Sequence, residues 1–130
     1  MSIKETAKAY HDKGFNCAQS VLSSCGKYTG LDEKTALAIG GGFGLGVRSG
    51  EICGAISGAV MAIGLANPFI DGSDLEAKRK VTSLTVECTA AAKEKFGCIR
   101  CCDLKGDYSN CPHYIQEMAD IAEEIINNNK

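Results

Sequence analysis

From Ile52 to Ile70 the chain carries no charged side chain, and this limits where the segment can sit more than any other feature does. Its length approaches the roughly 20 residues needed to span a bilayer. Yet Asn67 and Pro68 lie near one end, no basic cluster flanks it, and its apolar residues are mostly small: Ala55, Ala59 and Ala62, interleaved with Gly54, Gly58 and Gly64. A membrane helix is anchored by basic flanks and filled by large side chains. This segment instead predicts a helix enclosed on all sides by other helices, so no membrane span is expected.

The remaining segments supply the enclosing layers. Aromatic residues are 6% of the chain and no alternating Val/Ile/Thr run occurs, so strand signals are weak. Helical spacing is strong. Ser2–Asp12 reads as a polar opening helix, and Phe15 to about Lys27 as a second with Ala18, Val21, Leu22 and Cys25 on its apolar stripe. Asp32 caps a third, and the fourth runs from about Glu51 to Ala66. The fifth starts near Ser73 or Asp74 and reaches Phe96, with Val81, Leu84 and Cys88 inward and Gly97 as its stop. A cysteine-rich loop, Cys98–Asn110, precedes a last helix opened by Pro112, whose terminal Asn127, Asn128 and Asn129 are expected to fray. The expectation is an all-α, compact single-domain bundle of about five to six helices over residues 1–130, since no linker or repeat divides the chain.

Charge excludes one class of partner. Fourteen Lys and Arg stand against sixteen Asp and Glu, a net charge of −2, with no basic stripe, so no nucleic acid is expected. Met1–Lys13 lacks the apolar core of an export leader, which makes the cytoplasm the expected location. In a reducing compartment, eight cysteines in a chain long enough to fold unaided point to metal or redox-active thiols rather than disulfide staples.

Helical position sorts these cysteines. Cys25 and Cys88 fall on apolar stripes, where a lone thiol behaves as a small hydrophobe. Cys17, Cys53 and Cys111 each fall in the cap or first turn of an expected helix, where unpaired amides and the positive end of the dipole favour thiolate. Cys101, between Arg100 and Lys105, is the natural fourth member. Four converging thiolates suit an iron-sulfur cluster or tetrahedral zinc. The Cys98-Ile99-Arg100-Cys101 spacing matches thiol-disulfide oxidoreductases without their strand-helix-strand context, and Cys102 in place of histidine excludes a c-type haem. Cys98 and Cys102 read either as resolving partners for Cys101 or as incidental loop thiols.

Glycines crowd the region from Gly40 to Gly54, but no Gly-Lys-Ser/Thr follows and Gly44-Leu45-Gly46 lacks the third glycine of a dinucleotide cradle. Gly50, Gly54 and Gly58 at i, i+4 spacing instead let another backbone or a cofactor approach Cys53, which makes Gly54 and Gly58 candidate cofactor-binding positions. His113, two residues beyond Cys111, reads as a metal ligand, a thiol-tuning group or a surface histidine, and His11 has no chemical neighbour in sequence.

Cys53-Gly54-Ala55-Ile56-Ser57-Gly58 resembles the Cys-Gly-Ala-x-x-Gly signature of the redox-active C_GCAxxG_C_C family. Gly14-Phe15-Asn16-Cys17-Ala18-Gln19 is similar to that family's first cysteine segment, Phe96-Gly97 through Cys101, Leu104 and Gly106 to its third, and Cys111 to its fourth. The resemblance implies an all-helical redox protein with Cys17, Cys53, Cys101 and Cys111 as its redox-active thiols. The family is also similar to the cluster-bearing part of split-Soret cytochromes, without their haem-attachment motifs. The resulting expectation is electron transfer or redox sensing through an iron-sulfur cluster of [2Fe-2S] type held by those four cysteines. The alternatives are a metal-free thiol-disulfide oxidoreductase using the same cysteines and a structural zinc module. A redox partner protein is expected in the first two cases, and a homodimer is compatible with the glycine-faced helix.

Overall fold

The computed structural model describes residues 2–104 and 111–129, except the side chain of Cys102. It is all-α: α1 (Ile3–Asp12), α2 (Cys17–Ser24), α3 (Gly26–Thr29), α4 (Glu33–Gly40), α5 (Gly54–Ala66), α6 (Leu75–Phe96), α7 (Cys101–Leu104) and α8 (Cys111–Asn128). Among the described residues the only extended pairing is a single antiparallel bridge, Ile52 with Arg100. None of the described helices is long and apolar enough to cross a membrane.

The charge-free segment is the centre of the bundle. α5 buries Gly54, Ala55, Ile56, Gly58, Ala59, Ala62 and Ile63, with α2, α6 and α8 packed around it. α1 lies across α2 and α8 through Ile3 and Ala7, and α4 lies against α2. The starts of these helices follow local capping chemistry. Ser2 with Glu5 and Asn16 with Gln19 form reciprocal capping boxes, while the Asp32 and Asp74 carboxylates accept from the backbone N–H of Thr35 and Ala77. Gly97, at φ 85°, ends α6 in the left-handed conformation glycine adopts without strain.

Several boundaries differ from the sequence reading, each for a local reason. The second helix starts at Cys17 because Asn16 is its extended cap, and it breaks at Cys25. Gly50 is not on the central helix. It sits at φ 72° outside it, and Cys53 is the extended cap, so Glu51 and Ile52 are freed to meet Arg100. Cys98–Asn110 is not loop throughout, for Cys101–Leu104 closes a helical turn; Lys105–Asn110 lie outside the described residues. The last helix continues through Asn128, with the Asn129 amide donating to the Ile125 carbonyl at 2.8 Å and Lys80 Nζ donating to the Asn129 carbonyl at 3.2 Å.

The crossing of α2 and α5 is set by Gly58, where a Cβ would stand 2.8 Å from the backbone oxygen of Ala18. Gly64, on the same helix, faces open space. Gly58→Ala is therefore expected to destabilise by about 1–3 kcal/mol through overpacking. Gly64→Ala is expected to stabilise by about 0.5–1 kcal/mol through helix propensity. Paired urea melts of the two variants check the contrast, which equal effects would contradict.

Candidate redox site

The N-terminus of α2 is where the site is assembled. The Asn16 side chain accepts from the Gln19 N–H at 2.8 Å and donates through Nδ2 to the carbonyls of Gly40 and Gly41, each at 3.2 Å. Gln19 returns a bond to the Asn16 N–H at 2.9 Å and donates to the Leu37 carbonyl at 3.0 Å. These bonds hold Cys17, the first residue of α2, in a buried position. Gly54 lies directly against it, since a Cβ there would be 3.2 Å from the Cys17 Cβ and 3.0 Å from the Phe43 carbonyl oxygen. Cys53, the cap of α5, is the residue before Gly54. The approach that Gly54 and Gly58 permit is made by the α2 backbone.

The Ile52–Arg100 bridge brings Cys101 to the same place. The Cys53 N–H donates to the Ile99 carbonyl at 2.8 Å, and the Cys101 N–H donates to the Glu51 carbonyl at 2.6 Å. These two bonds flank a non-hydrogen-bonded antiparallel pair. Ile52 and Arg100 face outward, whereas Cys53 and Cys101 are 0% and 1% exposed, on the inward side. Diagonal neighbours across such a pair stand roughly 7–8 Å apart at Cα. Cys111, the first residue of α8, is also buried, and the Tyr114 hydroxyl one turn later donates to the Leu104 carbonyl at 2.8 Å, fastening α8 to the end of α7. Each of the four cysteines singled out by sequence thus starts or caps a helix: Cys17 α2, Cys53 α5, Cys101 α7 and Cys111 α8.

A strained strap packs beside this bridge. Leu45, Val47 and Arg48 stand at φ 54°, 59° and 58°, a left-handed turn in residues that carry a Cβ. Such a conformation costs roughly 1–2 kcal/mol per residue. It ends with the Glu51 N–H donating to the Gly46 carbonyl at 3.2 Å, and α7 packs against it. Glu51 and Asp103 each stand 3.5 Å from the Arg100 guanidinium, exposed pairs that contribute little.

Among the described residues, no group of three or more His, Cys, Asp or Glu side chains is disposed to hold a metal ion. His113 is exposed and packs edge-on to Phe96 at 5.9 Å between ring centroids, while His11 Nδ1 lies 3.2 Å from the Phe15 carbonyl oxygen.

Residues 15–125 match the model of the family described as "Putative redox-active protein (C_GCAxxG_C_C)". The chain belongs to this family. No curated protein and no solved structure matches it. The match takes in all four cysteines that resembled the family's own, together with the Asn16 and Gln19 that position the first. That pair escaped the sequence reading although Asn-x-x-Gln is a capping-box spacing. Glu51, whose carbonyl anchors Cys101, and Tyr114, which anchors Leu104, carried no sequence signal of their roles.

Cys25 and Cys88 stand apart from the site, fully buried in the core. Burial pushes the Cys25 thiol up to about 11, against a weaker opposing hydrogen bond from Ser24. Burial, with a smaller contribution from Glu87, pushes Cys88 up to about 12. Both remain protonated in the folded protein and are expected to resist alkylation at pH 8 until denaturant is added, which mass spectrometry of iodoacetamide-treated protein reads directly. Because the folded values lie above the ordinary 9.0, their contribution to stability is complete below about pH 9 and is lost as pH rises toward 11 and 12.

Proposed function

We propose that this protein is a thiol-disulfide redox protein whose exchanging pair is Cys53 and Cys101. The observation that carries this reading is the bridge: its two backbone hydrogen bonds join the segments of Cys53 and Cys101, and both residues are buried. A disulfide spans Cα separations up to about 7 Å. A modest shift of α7 therefore brings the pair into bonding range. Cys53 is fixed as the cap of the central helix, whereas Cys101 rides on a single-turn helix that can lift away from the strap, so Cys101 is the attacking thiol and Cys53 the resolving one.

The chemistry balances with a disulfide-bearing protein or small molecule as co-reactant. The Cys101 thiolate attacks one sulfur of the incoming disulfide, forming a mixed disulfide and releasing one thiolate. Cys53 then attacks the Cys101 sulfur, closing the intramolecular disulfide and releasing the second thiolate. Two electrons pass to the substrate, and the two protons given up by Cys53 and Cys101 end on its sulfurs. Buried thiols exclude casual oxidants, so exchange is gated by opening of the strap and α7.

A second reading, an iron-sulfur cluster on Cys17, Cys53, Cys101 and Cys111, is favoured by one observation: all four are buried at helix starts, where dipoles suit an anionic group. It requires the cysteine-bearing segments to rearrange, and structural zinc requires the same.

Anaerobically purified, metal-free protein treated with oxidised glutathione is expected to lose two titratable thiols and gain a Cys53–Cys101 cross-linked peptide. Cys53→Ser and Cys101→Ser should each abolish the cross-link, while Cys25→Ala and Cys88→Ala should leave it. Stoichiometric iron and sulfide with visible absorption, lost in the same Ser variants, would replace this reading with the cluster. Stoichiometric zinc whose removal melts the fold would replace it with a structural site.

A further inference from the structure

The strap beside the bridge is held in a conformation that its own residues disfavour. Leu45, Val47 and Arg48, at φ 54°, 59° and 58°, lie in the left-handed region, where a Cβ crowds the backbone. Burial does not compensate. Leu45 is 40% and Val47 50% exposed, and Arg48 is also exposed, so none of the three side chains is anchored in the core. Strain of this kind persists only where the surrounding structure imposes it.

What imposes it runs to the cysteine-bearing segments at both ends. The Phe43 carbonyl accepts from the Val47 N–H at 3.3 Å, and the same oxygen lies 3.0 Å from where a Cβ on Gly54, the residue after Cys53, would stand. At the other end the Glu51 N–H donates to the Gly46 carbonyl at 3.2 Å, while the Glu51 carbonyl accepts from the Cys101 N–H. Gly46 leaves no room for a Cβ against the Glu51 backbone, so the strap closes tightly on the residue that anchors Cys101. We infer that the strap is a strain-loaded gate: its left-handed residues favour release, and release frees the Glu51 anchor and admits a co-reactant to Cys101, which is 1% exposed while the strap is closed. The identity of what enters, a disulfide-bearing co-reactant, rests on the thiol-exchange reading; the gate itself does not. Backbone conformation at positions 45, 47 and 48 then sets how often Cys101 can react.

Glycine supplies the test, because it adopts the left-handed conformation without strain. Elsewhere glycine loosens a segment; here it should tighten one. In the reduced full chain at pH 8, Cys101 is expected to react with iodoacetamide faster than Cys88, which becomes accessible only on global opening, and peptide mass spectrometry separates the two. Val47→Gly and Arg48→Gly should each slow the reaction of Cys101 roughly threefold to tenfold, the strain relieved less the freedom glycine adds to the open strap. Arg48→Ala removes the same side chain but keeps the Cβ, and should leave the rate within about twofold of wild type. A wild-type Cys101 no faster than Cys88, glycine variants that react as fast as wild type or faster, or equal slowing by Arg48→Ala and Arg48→Gly would each overturn the gate. Alkylation requires no disulfide, so absence of the Cys53–Cys101 cross-link would overturn the exchange reading and leave these rates to decide the gate.

Discussion

Close approach of backbone to the segment Asn16–Val21 is the constraint on which the rest of the molecule depends. Gly40 approaches the Gln19 amide, Gly44 the Asn16 side chain, Gly54 the Cys17 Cβ, and Gly58 the carbonyl of Ala18. At each position a Cβ would lie at or inside about 3.2 Å of its neighbour. Two layers, α4 and the start of α5, are thereby pressed onto one turn of α2. The glycine-rich stretch that superficially resembles a nucleotide cradle is thus a set of contact points, and what it cradles is the first cysteine. Any side chain larger than hydrogen there would push α4 or α5 away from this turn of α2.

Burial places six cysteines in one class, and their local surroundings separate them. Cys88 lies midway along α6 and Cys25 at the break between α2 and α3; desolvation pushes both thiols up, offset only in part at Cys25 by a hydrogen bond from Ser24. Cys17, Cys53, Cys101 and Cys111 sit at the first residue or cap of α2, α5, α7 and α8.

Much of this was legible from residue order because it is local. The Asp74 start and Gly97 stop of α6 and the enclosure of α5 follow from caps, spacing and the absence of charge. The packing role of Cys88 follows from its register on α6, and that of Cys25 from the apolar stripe it continues at the end of α2. What was not legible is non-local or strained. The Ile52–Arg100 bridge joins residues far apart in the chain, with no alternating pattern to announce it. The left-handed turn places Leu45, Val47 and Arg48 in a region that side-chain sterics disfavour, so no propensity argues for it. The helical turn at Cys101–Leu104 is too short to show a period. These three features shape the candidate site, consistent with local rules failing where structure is held by tertiary context.

The strained strap lies against the segment that carries Cys101. The bonds that hold the segment carrying Cys101 include the two backbone bonds of the bridge and the Tyr114–Leu104 bond. Each such bond contributes about 0.5–1.5 kcal/mol net, and the exposed Arg100 pairs add little. Against this stands the cost of the left-handed residues at 45, 47 and 48, roughly 1–2 kcal/mol apiece. Burial of Cys53, Cys101 and Leu104 adds to these bonds in keeping the segment in place. In the proposed thiol-exchange reading, a bond formed between the two sulfurs would act on this buried surface and so couple a redox change at the bridge to the shape of the surface above it.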